Sequence, residues 1–194
     1  MLGLKLETDP HWVNIVEKNI EEILTDHAWC EQKAATNAIS IVVSYPYHSD
    51  LVKELLSLAK EELTHFEMVH QKIKERGLKL GFERKDQYVN ELYKFMRKGH
   101  VKEIVLIDRL LFSAMIEARS CERFKVLSEN IKDEDLKAFY RELMISEANH
   151  YTTFLGFARQ YGNATEDVNK RWEQWLAYES GVIRNYGKNE TVHG

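Results

Sequence analysis

Two short stretches, Glu62-Leu63-Thr64-His65 and Glu147-Ala148-Asn149-His150, each set an imidazole three residues after a carboxylate. On a helix, residues three apart share a face, so both side chains of a pair can reach one metal ion. The motif alone carries little weight, because 23 Glu and 8 His in 194 residues yield about one Glu-x-x-His by chance. Another match, Glu67 and His70, falls within the same helical stretch as the first. What separates it from the two opening pairs is the phase of each pair within its own helix.

The stretch 50–76 reads as a helix whose apolar stripe is Leu51, Leu55, Leu58, Glu62, His65, Val69 and Ile73. Glu62 and His65 therefore face the core. Glu67 and His70 share a stripe with Lys60, Thr64, Gln71 and Lys74, the composition of a solvated face, and are set aside. From Asp9 to about Val43 the periodicity predicts one long helix, with Ile20, Leu24, Ala28, Glu31, Ala34, Ala35 and Ala38 on one face. Pro46 ends it, and Ser49 is the expected N-cap of the next helix. Gly77 stops that second helix. A short helix is expected over 86–98, with Tyr88, Leu92, Phe95 and Met96 inward and Gly99 closing it. A third long helix spans about His100 to Glu129 with Ile107, Leu110, Ala114, Glu117, Cys121 and Phe124 inside. Asp133, Glu134 and Asp135 suit the first turn of a fourth, whose face is Leu136, Tyr140, Leu143, Glu147, His150, Tyr151 and Phe154 and which Tyr161-Gly162 closes. Asn163 to Glu166 reads as the entry to a last helix carrying Trp172, Trp175 and Leu176, expected outside the bundle. The closing residues 185–194 are expected to be mobile, or ordered only by docking.

Composition supports an all-α reading: 9 Gly and 2 Pro are too few for the turns of a sheet protein, and the length suits one domain over residues 1–194. No apolar run of signal-peptide or membrane-spanning length occurs, since Asp108 and Arg109 interrupt Ile104 to Ala118, so a cytoplasmic protein without membrane association is expected. Cys30 and Cys121 form neither a disulfide framework nor a Cys-x-x-Cys motif and are expected to be buried thiols. The net charge of −4 is unevenly spread. Between Lys72 and Lys102 ten basic residues (Lys72, Lys74, Arg76, Lys79, Arg84, Lys85, Lys94, Arg97, Lys98, Lys102) face four acidic ones (Glu75, Glu83, Asp86, Glu91), so that segment is +6 and the remainder −10. Such a crossover is either a solvated connection or a dock for a polyanion.

Two carboxylates break the apolar stripes, and their spacing repeats. Glu31 precedes Glu62 by 31 residues and Glu117 precedes Glu147 by 30, while the Glu-x-x-His pairs lie 85 apart. One Glu from each of two helices and a Glu-x-x-His from each of two others is the ligand set of ferritin-like bundles that hold two irons or manganese ions. The fold class expected is therefore all-α: a ferritin-like four-helix bundle with a long crossover connection and additional short and C-terminal helices. Glu122 is the rival of Glu117, but it lies only 25 residues before Glu147 and beside Arg123, which predicts an exposed ion pair instead. His27, one turn before Glu31, is read as a core histidine or as a support for that ligand. The carboxylate-rich set suits Fe(II) and Mn(II) better than zinc, and two such metals can bind and reduce dioxygen.

The runs His27-Ala28-Trp29-Cys30-Glu31-Gln32-Lys33-Ala34-Ala35, Glu61-Glu62-Leu63-Thr64-His65-Phe66, Ile116-Glu117-Ala118-Arg119-Ser120-Cys121-Glu122-Arg123-Phe124 and Ser146-Glu147-Ala148-Asn149-His150-Tyr151 together resemble the MiaE family. Its members are bacterial hydroxylases acting on 2-methylthio-isopentenyladenosine beside the anticodon of certain tRNAs. The resemblance covers residues 2–180. It implies a diiron role for Glu31, Glu62, His65, Glu117, Glu147 and His150, dioxygen as co-substrate, an unidentified electron donor, and the anticodon stem-loop of tRNA as partner. The hydroxyl would go to an allylic methyl of the isopentenyl group. In that setting Lys72, Lys74, Arg76, Lys79, Arg84, Lys85, Arg97 and Lys98 are the candidates for phosphate contacts. Two competing functions are a ferritin-like ferroxidase or iron-handling protein, which would need a shell-forming oligomer, and a diiron hydroxylase of a small lipid or quinone. A vestigial RNA-binding module is a third. The expected particle is a monomer or small homo-oligomer.

Overall fold

The computed structural model describes residues 2–162, 166–186 and 191–192, and among them contains seven helices and no strand. These are α1 (Trp12–Lys18), α2 (Ile20–Ser44), α3 (Ser49–Glu75), α4 (Gln87–Lys94), α5 (Lys102–Asn130), α6 (Glu134–Gly162) and α7 (Val168–Tyr186). No helix among the described residues is long and apolar enough to cross a membrane. The chain divides into two compact units, residues 18–85 with 191–192, and residues 2–17 with 86–186.

In the first unit, α2 and α3 form an antiparallel hairpin, as the four-residue connection from Tyr45 to His48 requires. Its seam is Leu24, Ala28, Ala35, Ala38 and Ile41 from α2 with Leu51, Leu55, Leu58, Val69 and Ile73 from α3, all buried. The N-cap of α3 is His48, which makes no side-chain capping bond, and Ser49 is the first helical residue rather than the cap. The other end is closed as expected: Gly77 sits at φ +67, its N–H donates to Lys74 O at 3.0 Å, and Leu78 N–H donates to Ile73 O at 3.1 Å. This pair of bonds is a Schellman closure, and its left-handed residue favours glycine. Val192 is buried, its N–H donating to Asp26 Oδ2 at 2.7 Å, so this part of the closing segment is docked. Residues 187–190, 193 and 194 of that segment, and 163–165 before the last helix, lie outside the described residues.

The long helix expected from Asp9 to Val43 is two helices with a break at Asn19 (φ −136, ψ 45). Trp12, Val13 and Val16 of α1 bury within the second unit, where the Arg123 guanidinium lies 4.1 Å from the Trp12 ring centroid.

In the second unit, α5 and α6 form the other hairpin. Asp133 caps α6, its Oδ1 accepting from Leu136 N–H at 3.0 Å. The short helix α4 is capped by Asp86, whose Oδ1 accepts from Val89 N–H at 2.9 Å. It ends at Lys94 rather than Lys98, because the backbone N–H of Arg97 is drawn to Asp108 Oδ2 at 2.8 Å. Helix α5 is buried on nearly every side, with α6 along one face and α4 and α7 along another. The last helix is thus an integral cover: Trp175 is fully buried, with Phe95 edge-on at 5.0 Å and Phe112 at 6.2 Å. Burial of side chains this large contributes about 2–3 kcal/mol each.

Candidate metal centre

Each helix pair carries one half of the predicted ligand set. On α2 and α3, Glu31, Glu62 and His65 are buried and each offers a ligand atom, these atoms lying within 4.8 Å of one another. His65 Nδ1 is 3.2 Å from Glu62 Oε2 and 3.7 Å from Glu31 Oε2. On α5 and α6, Glu117, Glu147 and His150 repeat the arrangement within the same 4.8 Å limit, and all three are buried. His150 Nδ1 lies 4.0 Å from Glu147 Oε1. The decoy pair behaves as its phase predicts, with Glu67 exposed and His70 half-buried.

The electrostatics of the first half-site describe a place built for positive charge. Burial pushes the Glu31 carboxyl up, but hydrogen bonds from His27 and His65 outweigh it and hold the group well below the usual carboxylate range. Burial likewise opposes the charge on His65, yet Glu31 and Glu62 raise its pKa to about 10. A proton stands where a cation would serve the same carboxylates. In the second half-site two carboxylates share one buried patch, which is costly without a cation between them. Two carboxylates and one imidazole per half are the oxygen-rich donors that Fe(II) and Mn(II) take.

His27 is fully buried and donates from Nε2 to Glu31 Oε1 at 2.6 Å. It is therefore a support of the Glu31 carboxylate, the arrangement by which a second residue fixes a ligand's orientation. Glu122 is not an exposed ion pair with Arg123. It is buried, accepts from Thr8 N–H at 2.9 Å and Thr8 Oγ1 at 2.6 Å, and takes Arg119 NH1 at 2.9 Å. Arg119 also donates to Glu179, 2.7 Å away, and to Leu6 O, and Tyr88 donates to the same Glu179 at 3.0 Å. Sequence periodicity missed this cluster. The one local signal was the i,i+3 pair Arg119 and Glu122 on the helix opposite the Glu117 stripe. Of the cysteines, Cys121 is buried, and burial pushes its thiol up to about 11, whereas Cys30 is half-exposed rather than buried.

The basic residues are unequal. Lys74, Lys79, Arg84, Lys85 and Lys98 are exposed, Lys98 lying 4.6 Å from the Tyr93 ring centroid. Lys72 pairs with Glu75 at 3.6 Å and Arg76 donates to Lys72 O. Arg97 commits its guanidinium to Asp108 and Glu166, while Arg171 binds the same Asp108 through Nε and NH2 at 2.9 and 2.8 Å. Its place is structural.

Comparison with known proteins gives the chain's family and fold relatives. The family described as tRNA-(MS[2]IO[6]A)-hydroxylase (MiaE) matches residues 2–194. The chain is 39% identical over 186 residues, covering 96% of its length and 89% of the relative, to the tRNA 2-(methylsulfanyl)-N(6)-isopentenyladenosine(37) hydroxylase of Pseudomonas putida. It is 29% identical over 223 residues to the enzyme of the same description from Salmonella typhimurium, covering 91% of this chain and 81% of that one. Among solved structures, a Synechococcus protein described as having aldehyde deformylating oxygenase activity aligns with a TM-score of 0.89 and 32% identity, over 98% of this chain and 95% of that one. The fold class is accordingly ferritin-like and all-α, and its buried Glu and His residues fit a diiron site. Ligand phase, fold and alignment converge, and the chain belongs to the tRNA-(MS[2]IO[6]A)-hydroxylase (MiaE) family.

Proposed function

We propose that the chain is an O2-dependent diiron monooxygenase that hydroxylates the isopentenyl group of the 2-methylthio-isopentenyladenosine beside the anticodon of tRNA. The observation that carries this reading is the duplication: each of two helix pairs buries one Glu together with one Glu-x-x-His. Glu31, Glu62, His65, Glu117, Glu147 and His150 would hold the two irons, and residues 1–194 would act as one domain. The chemistry a bound iron pair supplies is two-electron reduction of dioxygen to an oxidant able to break an allylic C–H bond. One oxygen atom then enters the substrate as hydroxyl and the other leaves as water, so each turnover consumes two electrons and two protons from an external donor.

The residues contribute positioning and charge. Four carboxylates offset the charge of two divalent ions, and His27 holds Glu31 in one orientation through its 2.6 Å bond. The apolar stripes around both half-sites keep water from quenching the oxidant. The modified adenosine lies in a single-stranded loop, so it can leave the stack without opening a duplex. Exposed Lys74, Lys79, Arg84, Lys85 and Lys98 supply phosphate contacts. The enzyme works in the cytoplasm, where its tRNA is.

The test is iron-loaded protein with a reductant, O2 and tRNA carrying the isopentenyl modification, read by nucleoside mass spectrometry. One added oxygen on that nucleoside, absent without O2, is the expected result. No gain with iron bound and competent substrate present overturns the function. Turnover of a long-chain aldehyde or quinone in its place would select the small-substrate reading, and a shell-sized particle in light scattering would select iron storage.

A further inference from the structure

Between α3 and α4 the chain runs without helix over residues 78–85, and its course is fixed against α2 by a row of side chains one helical turn apart. Glu21 Oε1 accepts from Lys79 N–H at 3.1 Å. Thr25 Oγ1 accepts from Gly81 N–H at 3.2 Å, and Trp29 Nε1 donates to Gly81 O at 2.9 Å. Lys33 Nζ donates to Arg84 O at 3.2 Å and pairs with Glu83 at 3.1 Å. Arg84 NH2 donates to Glu22 O at 3.3 Å. Residues 21, 25, 29 and 33 thus hold this strap along most of its length. The approach is close at Gly81, where a Cβ would stand 3.2 Å from Thr25 Cγ2.

With Gly81 turned to α2 on both its backbone groups, the next side chain points away, and Phe82 is 96% exposed. A phenylalanine on a slack loop would be unremarkable. This one is on a segment tied at 79, 81, 83 and 84, so the ring is displayed at a fixed place. Its surroundings are charged: Lys79, Arg84 and Lys85 are exposed on the same strap. Over residues 72–85 the cations are Lys72, Lys74, Arg76, Lys79, Arg84 and Lys85, against Glu75 and Glu83, with Glu21 and Glu22 on the adjoining turn of α2. A protein partner would be met by a cluster of apolar side chains in a patch depleted of charge. A fully displayed aromatic ring among cations is what unpaired nucleic acid requires, because each base stacks on a ring while lysine and arginine take its phosphates.

From this placement we infer that Phe82 is a stacking platform for an unpaired base of the RNA substrate, with Lys79, Arg84 and Lys85 on the flanking phosphates. The inference rests on the tRNA hydroxylase reading and names a substrate-positioning residue within it. Trp29, through its bond to Gly81 O, is the residue that sets the platform's position.

The experiment compares wild type with Phe82→Ala, Phe82→Leu and Phe82→Trp, each iron-loaded, using a modified anticodon stem-loop and a chemical reductant. Expected are an unchanged melting midpoint, a KM raised about tenfold in Phe82→Ala and Phe82→Leu with kcat retained, and recovery in Phe82→Trp. Direct binding of a fluorescein-labelled stem-loop should weaken in parallel, and Lys85→Ala should reduce the salt slope of binding by about one. An unchanged KM and affinity in Phe82→Ala overturns the inference while wild-type turnover leaves the hydroxylase reading standing. An equal loss on the free modified nucleoside, which offers no neighbouring base, also overturns it. So does a loss seen only when a protein reductase supplies the electrons, since that outcome makes the strap a docking site for the donor. Absence of turnover by wild type would instead strike the function itself.

Discussion

Glu117 and Glu122 lie five residues apart on α5 and are equally buried, each 4% exposed, yet their surroundings differ. Glu117 shares its patch with Glu147 and His150, and Glu122 is occupied by Arg119 and Thr8. Glu117→Ala should lose iron and activity, as should Glu62→Ala and His150→Ala, whereas Glu67→Ala and His70→Ala should keep both. Glu122→Ala should keep its iron but lose about 3 kcal/mol, the typical cost of stranding the partner of a buried ion pair. Iron assays beside urea melts separate the two outcomes, and iron lost from Glu122→Ala but kept in Glu117→Ala would reverse the assignment. Asp108 offers a pH test. Burial pushes its carboxyl up, but Arg171 and Arg97 outweigh burial and hold it below the ordinary 3.8. A depressed carboxyl contributes stability that is complete above its unfolded value and disappears as pH falls through the folded one. Asp108→Asn should therefore cost about 3–5 kcal/mol at neutral pH and flatten the decline of stability below about pH 4, measured by urea melts at stepped pH.

At the scale of elements, α5 explains why a stripe of apolar residues was only half of its story. Its periodicity correctly showed Ile107, Leu110, Ala114, Glu117, Cys121 and Phe124 as one buried face. The other faces are buried too, under α4, α7 and the N-terminal segment, and there the helix carries Asp108, Arg119, Glu122 and Arg123, which read as exterior until their partners arrive. Those partners are 60 or more residues away in two of the closest contacts, Arg119 with Glu179 and Asp108 with Arg171. The junction of α6 and α7 is equally tight, since a Cβ on Gly162 would meet Val168 Cγ2 at 2.0 Å. Gly162→Ala should destabilise by about 1–3 kcal/mol through overpacking, visible as a lower thermal midpoint with iron content unchanged. Helix boundaries moved where a tertiary bond outbid local propensity, as when Arg97 left α4 for Asp108.

For the whole molecule, the proposed metal site links iron binding to the fold's stability. In the first half-site a proton on His65 serves Glu31 and Glu62, and in the second Glu117 and Glu147 share a buried patch; on the proposed reading iron would serve these carboxylates instead, so ferrous iron added anaerobically should raise the melting midpoint. At a hundredfold excess over Kd the gain is about 2.7 kcal/mol, and a chelator should reverse it. Two irons per chain are expected, and Glu62→Ala should show no iron-dependent shift. The long helices and the burial of Glu31, Glu62, His65, Glu117, Glu147 and His150 were legible beforehand, because which residues share a helical face is a local property of the chain. Tertiary structure alone decided that Glu122 pairs with Arg119, that His27 braces Glu31, that Asn19 breaks the first helix, and that a strap pinned by Glu21, Thr25, Trp29 and Lys33 holds Phe82 in water. Periodicity reports that a face is covered; it carries no information about which distant residue covers it.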